Sequence, residues 1–326
     1  MERRAILKSL ALIGIGAAIP LKKLSAHMAT WTPAGRPFQR LTLGELQLTI
    51  ITDGHIELKP VQATFPNGGE EEEQHLLRDH FRPTASVDLG MNILVIKKGK
   101  EQVLIDTGTG NSFGTGSGWL LSSMADAGIQ PEHITQIVIS HAHPDHIGGL
   151  LTKDGKPVFA NAQIHLSRLE HAFWMAAEQD FTKCKFPDKK ILQVFATNTK
   201  KTLTTLESRI HLFEHNAELF GCLRMEIAPG HTPGHTLTHV FSGNEEIVHI
   251  ADLMHSDVLL FPHPEWGFNG DTDLELAVAT RKQVLQQLAG TKTKVFAYHL
   301  PWPGLGHVSV KGDAYEWIAE TYAYPS

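Results

Sequence analysis

The stretch that decides the reading is His141-Ala142-His143-Pro144-Asp145-His146, which follows the apolar run Ile137-Val138-Ile139 and Ser140 and is followed by Ile147-Gly148-Gly149. The apolar run predicts a buried strand, so the cluster sits where a rigid element ends, and ligands placed there are held better than on a free loop. His141 and His143 are two residues apart and point to the same side of an extended backbone, so one metal can take both imidazoles. Pro144 turns the chain, and Asp145 and His146 leave in a new direction, where they can hold a second metal. Gly148-Gly149 lets the backbone pass close to the site. Imidazole with carboxylate suits zinc, and also iron, cobalt or manganese.

Further along, the same placement recurs. His231 and His235 lie in Pro229-Gly230-His231-Thr232-Pro233-Gly234-His235, after an apolar strand expected over residues 223–228. Asp252 ends a strand expected over 247–251, and His299 ends one over 295–298. Taken singly, Asp252 reads as a turn residue and His299 as an ordinary histidine. Their shared position at strand ends gathers them along one edge. Other strands are expected at 41–51 (stopping at Asp53-Gly54), 92–96 and 102–105 (a hairpin through 97–100), 134–139, 162–166, 210–213 and 238–242. Helices are expected at 118–127, at 167–178 with Ser167 as its cap, at 272–288 and at 312–322. Glu70 to Glu73 read as a solvated loop. Strands followed by helices, twice over, predict two β-rich halves packed sheet on sheet with helices outside.

Composition bounds the partners. The chain has 326 residues, 42% hydrophobic, with 20 histidines and a net charge of −6, which argues against nucleic acid as a partner. Cys184 and Cys222 have no C-x-x-C spacing and read as two buried thiols, a single bridge being the alternative. Residues 1–26 resemble a twin-arginine export signal: Arg3-Arg4-Ala5-Ile6-Leu7-Lys8, an apolar stretch over 11–21 too short for a good membrane span, and Leu24-Ser25-Ala26 as a cleavage site. The expected mature chain is residues 27–326, a single catalytic domain in the periplasm or secreted, or cytoplasmic if the signal is not used. Residues 1–26 carry five Lys/Arg and one Glu, so their removal takes the net charge from −6 to −10.

The run His141 to His146 resembles the H-x-H-x-D-H signature of the metallo-β-lactamase superfamily. Asp106-Thr107-Gly108, the P-G-H-T-P-G-H segment, Asp252 and His299 follow in that family's order, over roughly residues 40–310. The resemblance implies the α/β class, an αββα sandwich with a two-metal site at one edge. It implies that His141, His143 and His231 hold one ion, that Asp145, His146 and His299 hold the other, and that Asp252 bridges them. Asp106 then orients the site from behind, and His235 lies outside the ligand set. The tail His299-Leu300-Pro301-Trp302-Pro303-Gly304-Leu305-Gly306-His307 is similar to the methyl parathion hydrolase-like branch, whose relatives include lactonases of N-acyl homoserine lactones. Phe113 and Trp174 match pocket aromatics of that branch. Met254, His255, Phe261 and Trp266 are further pocket candidates. One departure is visible: small cytoplasmic lactonases of the superfamily carry a Tyr shortly after the bridging Asp, where this chain has Leu253, Met254 and His255.

The expected activity is therefore hydrolysis of an ester bond, the ring of an N-acyl homoserine lactone, with two divalent ions, zinc foremost, and Asp145 passing a proton to the departing alkoxide. The expected partner is a neutral small-molecule lactone, with no nucleic acid, no stable membrane insertion, and a homodimer as the open assembly. An organophosphate triesterase using the same site is the alternative. A di-iron redox protein usually brings a flavin-binding partner domain, which is not visible here. A purely structural metal site leaves the open coordination positions unexplained. The glycine-rich residues 108–118 lack G-K-[ST] and read as a flexible loop near the metal edge, and neither Ser117 nor Ser140 sits in G-x-S-x-G.

Overall fold

A computed structural model describes residues 37–110 and 112–320. The export signal expected over residues 1–26 lies outside them. The first sheet runs in chain order, β1 (Phe38–Leu43), β2 (Leu46–Leu58), β3 (Val87–Lys98), β4 (Glu101–Ile105), β5 (Gln136–Val138), β6 (Gln163–Ser167) and β7 (Ile210–Phe213). The second is built from the other end, β14 (Ala314–Ala319), β13 (Leu305–Lys311), β12 (Lys294–Phe296), β11 (Glu245–His249), β10 (Thr236–Ser242), β9 (Leu223–Ile227) and β8 (Glu218–Leu219). Strand alternation sorts side chains between the layers. Leu48 and Ile50 of β2, Leu94 and Ile96 of β3, and Val103 and Ile105 of β4 face the second sheet, where they meet Leu223, Met225, Val240, Ile247 and Phe296. Their neighbours Ile51, Ile93, Val95 and Leu104 face the opposite way, into a core covered by helices.

The helices are α1 (Val61–Thr64), α2 (Glu70–Asp79), α3 (Leu120–Asp126), α4 (Pro144–Ile147), α5 (Arg168–Met175), α6 (Lys189–Thr205) and α7 (Leu274–Thr291). Met124 of α3, Trp174 of α5 and Leu192, Ala196 and Leu203 of α6 cover the first sheet. Leu77 of α2 and Val284, Leu285 and Leu288 of α7 belong to the core outside the second. The result is the four-layer αββα arrangement expected.

Three expectations are corrected and one helix is added. Residues 312–322 are not a helix. Gly312 (φ +60°) turns a hairpin between β13 and β14, and Tyr315 and Trp317, two apart, pack on the core as a strand face requires. Residues 41–51 span two strands with a turn at Gly44, and β2 runs past Asp53-Gly54 by a bulge between Thr52 and His55. The acidic run starts α2, where four Glu in the first turn oppose the helix dipole, and Glu73 is buried. Helix α6, which had no counterpart in the sequence reading, is capped by Asp188, whose side chain accepts from Lys190 N, and buries Leu192, Ala196, Thr199 and Leu203. Cys184 and Cys222 are buried free thiols.

Candidate metal centre

Every strand that could deliver a ligand ends on the same edge. β5 delivers Ser140 and His141, β9 leads to His231, β11 to Asp252 in the short turn Ala251–Leu253, and β12 to His299. β4 delivers Asp106, held in the left-handed region at φ +63°, and Ala251 before Asp252 has φ +43°. Non-glycine residues in that region carry strain and recur at functional sites. Gly148 and Gly149 lie so close to the backbone carbonyls of Thr109 and Thr107 that a Cβ on either would collide with them.

His141 Nε2, His143 Nδ1 and His231 Nε2 converge, the three pairs separated by 3.0, 2.9 and 3.1 Å. Asp145, His146, Asp252 and His299 form a second group whose ligand atoms lie within 4.8 Å of one another. Asp252 reaches both. Its Oδ1 is 3.0 Å from His146 Nε2, and its Oδ2 is 3.0 Å from His299 Nε2, 3.3 Å from His231 Nε2 and 3.8 Å from His141 Nε2. All seven expected ligand residues are thus brought together, in two groups sharing one carboxylate.

The outer ring atoms are held from behind. His146 Nδ1 donates to Asp106 Oδ2 at 2.9 Å, and Asp106 also accepts from Ser140 N and Oγ. His231 Nδ1 donates to Asp271 Oδ1 at 2.8 Å, and His299 Nδ1 to the Gly90 carbonyl at 2.9 Å. Each bond fixes the tautomer and leaves an inward lone pair, as metal-binding histidines require. His235 donates through Nδ1 to Ala228 O and accepts the Asp252 backbone N–H on Nε2, so it positions Asp252 with both nitrogens engaged. Buried Arg281 on α7 donates to the carbonyls of Leu253 and Trp266 and lies 3.7 Å from Asp271 Oδ2, tying the Asp252 turn to the partner of His231.

Charge shows what the cluster accepts. Burial alone would raise Asp252 and Asp145, but His146 and His299 hold both below the usual carboxylate range. Burial would lower His231 and His299, yet the carboxylates beside them push both up to about 9, and His146 is raised too. Burial and neighbouring imidazoles hold His143 down at about 3, and His141 is lowered as well. The anionic centre therefore needs cations, supplied by protons or by metal. Three imidazole nitrogens sharing one ion at about 2.0–2.1 Å in tetrahedral array stand roughly 3.3 Å apart, close to the spacing found here. The residues fit two divalent ions.

Beside the cluster lies a cavity of about 400 Å³, bounded on one side by His143, Asp145, His231, Asp252 and His299. Its opposite wall is apolar: Ile56 and Leu58 of β2, Leu89 of β3, Phe113, Phe186, and Ile191, Leu192 and Phe195 of α6. Phe113 was foreseen. The α6 residues and Phe186 were not, because α6 itself was missed. Five expected pocket residues lie elsewhere. Trp174, 1% exposed, is in the core with its Nε1 bonded to Glu170, and its ring only abuts His143 edge-on. Met254, Phe261 and Trp266 belong to the core outside the second sheet. His255 stacks on Phe268 at 3.7 Å and reaches Asp252 Oδ2 at 3.2 Å, and it lines a different cavity, with Glu57, Arg82 and Asp88. The glycine-rich loop is pinned at both ends: Asp53 accepts from Thr109 N and Oγ1, Gly118 N and Leu120 N.

Comparison with known proteins bears on this site directly. The family model described as the metallo-beta-lactamase superfamily matches residues 88–299. The solved structure of AidC, a dizinc quorum-quenching lactonase in complex with a homoserine product, is 43% identical, with a TM-score of 0.86 over 88% of this chain and 98% of that one. The hydrolase AbOPH of the beta lactamase superfamily is 28% identical, with a TM-score of 0.81 over 89% of this chain and 99% of that one. A quorum-quenching N-acyl homoserine lactone lactonase at 18% identity, 80% and 94% coverage and a TM-score of 0.56 shares the fold. No curated protein sequence matches the chain.

Proposed function

This chain belongs to the metallo-β-lactamase superfamily, and from that premise we propose that it opens the ring of N-acyl homoserine lactones, as a quorum-quenching hydrolase with two zinc ions. The observation that carries the proposal is one continuous cavity with a two-group His/Asp cluster on one wall and an apolar face on the other. A neutral ester with an aliphatic tail matches both. The 43% identity to AidC, spanning nearly all of that dizinc lactonase, supports the same substrate class and the same metal.

When bound, the ion pair supplies acidified water and stabilises charge at the carbonyl oxygen. The chain's own residues do the rest. Phe113, Phe186, Leu192 and Phe195 bury the acyl chain and exclude water from that end. Asp145 faces the cavity and is held ionised by His146 and His299. From that position it can relay a proton from the attacking water to the departing alkoxide. Among the described residues lining the cavity there is no tyrosine to share that task. We place the enzyme in the periplasm or outside the cell, a reading supported by Arg3-Arg4 and the apolar stretch after them.

The test is metal analysis of the purified protein combined with kcat/KM across lactones of increasing acyl length and one aryl phosphotriester. The expected result is two ions per chain and faster opening of medium and long-chain lactones, the gain appearing in KM. Rapid turnover of the phosphotriester with no lactone opened would replace this reading with that of a triesterase.

A further inference from the structure

The sequence Ser167-Arg168-Leu169-Glu170 has the form of a capping box, in which the glutamate three residues after the cap bonds back to the cap's own N–H. Only half of that box forms. Ser167 Oγ accepts from Glu170 N at 3.1 Å, but the Glu170 carboxylate does not return to the Ser167 N–H. It is 0% exposed, and all its contacts lie beyond the first turn of α5. Oε1 accepts from Ala142 N at 2.8 Å and from Trp174 Nε1 at 2.6 Å. Oε2 accepts from Thr232 Oγ1 at 2.6 Å and from Gly234 N at 3.0 Å. Four donors fill the four lone-pair sites of the carboxylate, and three of them, Ala142 N, Gly234 N and Trp174 Nε1, can only donate.

Three of these donors belong to metal-site loops. Ala142 lies between His141 and His143, Thr232 follows His231, and Gly234 precedes His235, which carries the Asp252 backbone N–H. The fit is tight: Ser167 Oγ also donates to Gly234 O at 3.0 Å, and a Cβ at Gly234 would collide with the backbone of Glu170. The first loop comes from the first sheet and the second loop from the second sheet; apart from one backbone bond, Thr236 N to Ser140 O at 3.0 Å, it is the Glu170 carboxylate that ties them. We infer that Glu170 is a positioning residue that joins the two loops and sets the spacing of His141, His143 and His231, so that it governs the affinity of that ion site more than that of its neighbour. The other group has its own holders, Asp106 for His146 and the Gly90 carbonyl for His299. This inference rests on the two-metal reading and is independent of the substrate.

The experiment is a titration of the metal-free protein with Co²⁺, followed by visible absorption and calorimetry, for wild type and Glu170→Gln. Glutamine matches the size but presents an amide donor to two donors. The expected result is one binding step weakened by about 10–100-fold, the range for removing an outer partner of a metal site, and the other changed by much less. Trp174→Phe removes the one donor that is on neither loop and should leave both steps unchanged. Equal weakening of both steps in Glu170→Gln, wild-type affinities in it, or an equal loss in Trp174→Phe would overturn the inference. If Glu170→Gln does not fold, Thr232→Val decides, since it removes a single loop bond: a selective loss of one step supports the inference and two unchanged steps overturn it. A wild type that binds fewer than two Co²⁺ would instead sink the two-metal reading.

Discussion

His141, His143, Asp145 and His146 occupy one six-residue turn, whereas His231, Asp252 and His299 come from three loops in the other half of the chain. The contiguous set owes much of its mutual geometry to local backbone: a strand end, a proline turn and the short helix α4. The scattered set has no such frame. Each member depends on a partner distant in sequence: Asp271, itself near Arg281, for His231, His235 for the Asp252 backbone, and the Gly90 carbonyl for His299. The contrast teaches that a site of one chemistry can be positioned by two physical devices, local chain geometry and buried polar contacts. The two should fail differently.

Asp252 is where the two sets meet, so its loss should have the largest effect. Asp252→Ala should lower kcat/KM by more than about 100-fold, beyond the cost of an outer partner. Metal analysis of the same sample should show fewer than two ions. Full metal content and rate in this variant would remove Asp252 from the centre.

Next comes a holder of the scattered set. Asp271→Asn exchanges the acceptor of His231 Nδ1 for a neutral amide and should weaken one ion by about 10–100-fold while leaving the chain folded. Wild-type affinity would show that His231 is placed by its own loop, and the contrast between the sets would collapse.

The pH dependence of the metal-free protein sorts the histidines by their neighbours, with His146, His231 and His299 beside carboxylates raised and His141 and His143 lowered by burial and imidazole neighbours. His231 and His299 are raised to about 9, so their stabilisation is present below about pH 6.5 and lost as pH climbs towards 9. His143 is depressed to about 3, as is His235, so their contribution is present above pH 6.5 and lost as pH falls. The thermal midpoint of metal-stripped protein should therefore peak near pH 6.5 and drop by several degrees on either side. Metal loading, which requires neutral imidazoles, should abolish the alkaline limb. An alkaline limb that survives loading would mean that His231 and His299 are not ligands.

The smallest effect concerns the wall facing both sets. Phe195→Ala should raise KM for long-chain lactones by roughly four- to fifteenfold, the scale of one or two buried CH₂ groups, with both ions retained. Trp174→Phe should leave the chain-length profile as it is, because that ring lies in the core. Steady-state kinetics across acyl lengths measures both.

How much could be read beforehand follows the same division. The contiguous cluster was plain in the sequence, because its residues share a strand end and a turn. His231, Asp252 and His299 were recognised by their order and by the strands before them, although any one alone is an ordinary residue. Helix α6 went unseen because its apolar positions are diluted by lysines and threonines in KKILQVFATNTKKTLTT, and with it went most of the apolar cavity wall. The hairpin at Gly312 was read as a helix since apolar residues two apart in so short a segment fit either period.

The amino-acid sequence by itself determined the layered fold and the identity of the residues that converge at its edge, because alternation, turn residues and ligand types are local properties. Tertiary structure alone decided who stands behind them. Glu170 reads locally as half of a capping box and Asp271 as a loop acid, and Trp174 reads as a pocket aromatic. Once the two sheets pack, the two carboxylates are buried against donors brought from far along the chain, and the Trp174 ring is sealed into the core. The reason is that burial and partner choice depend on which surfaces meet in space, and no spacing along the chain records that.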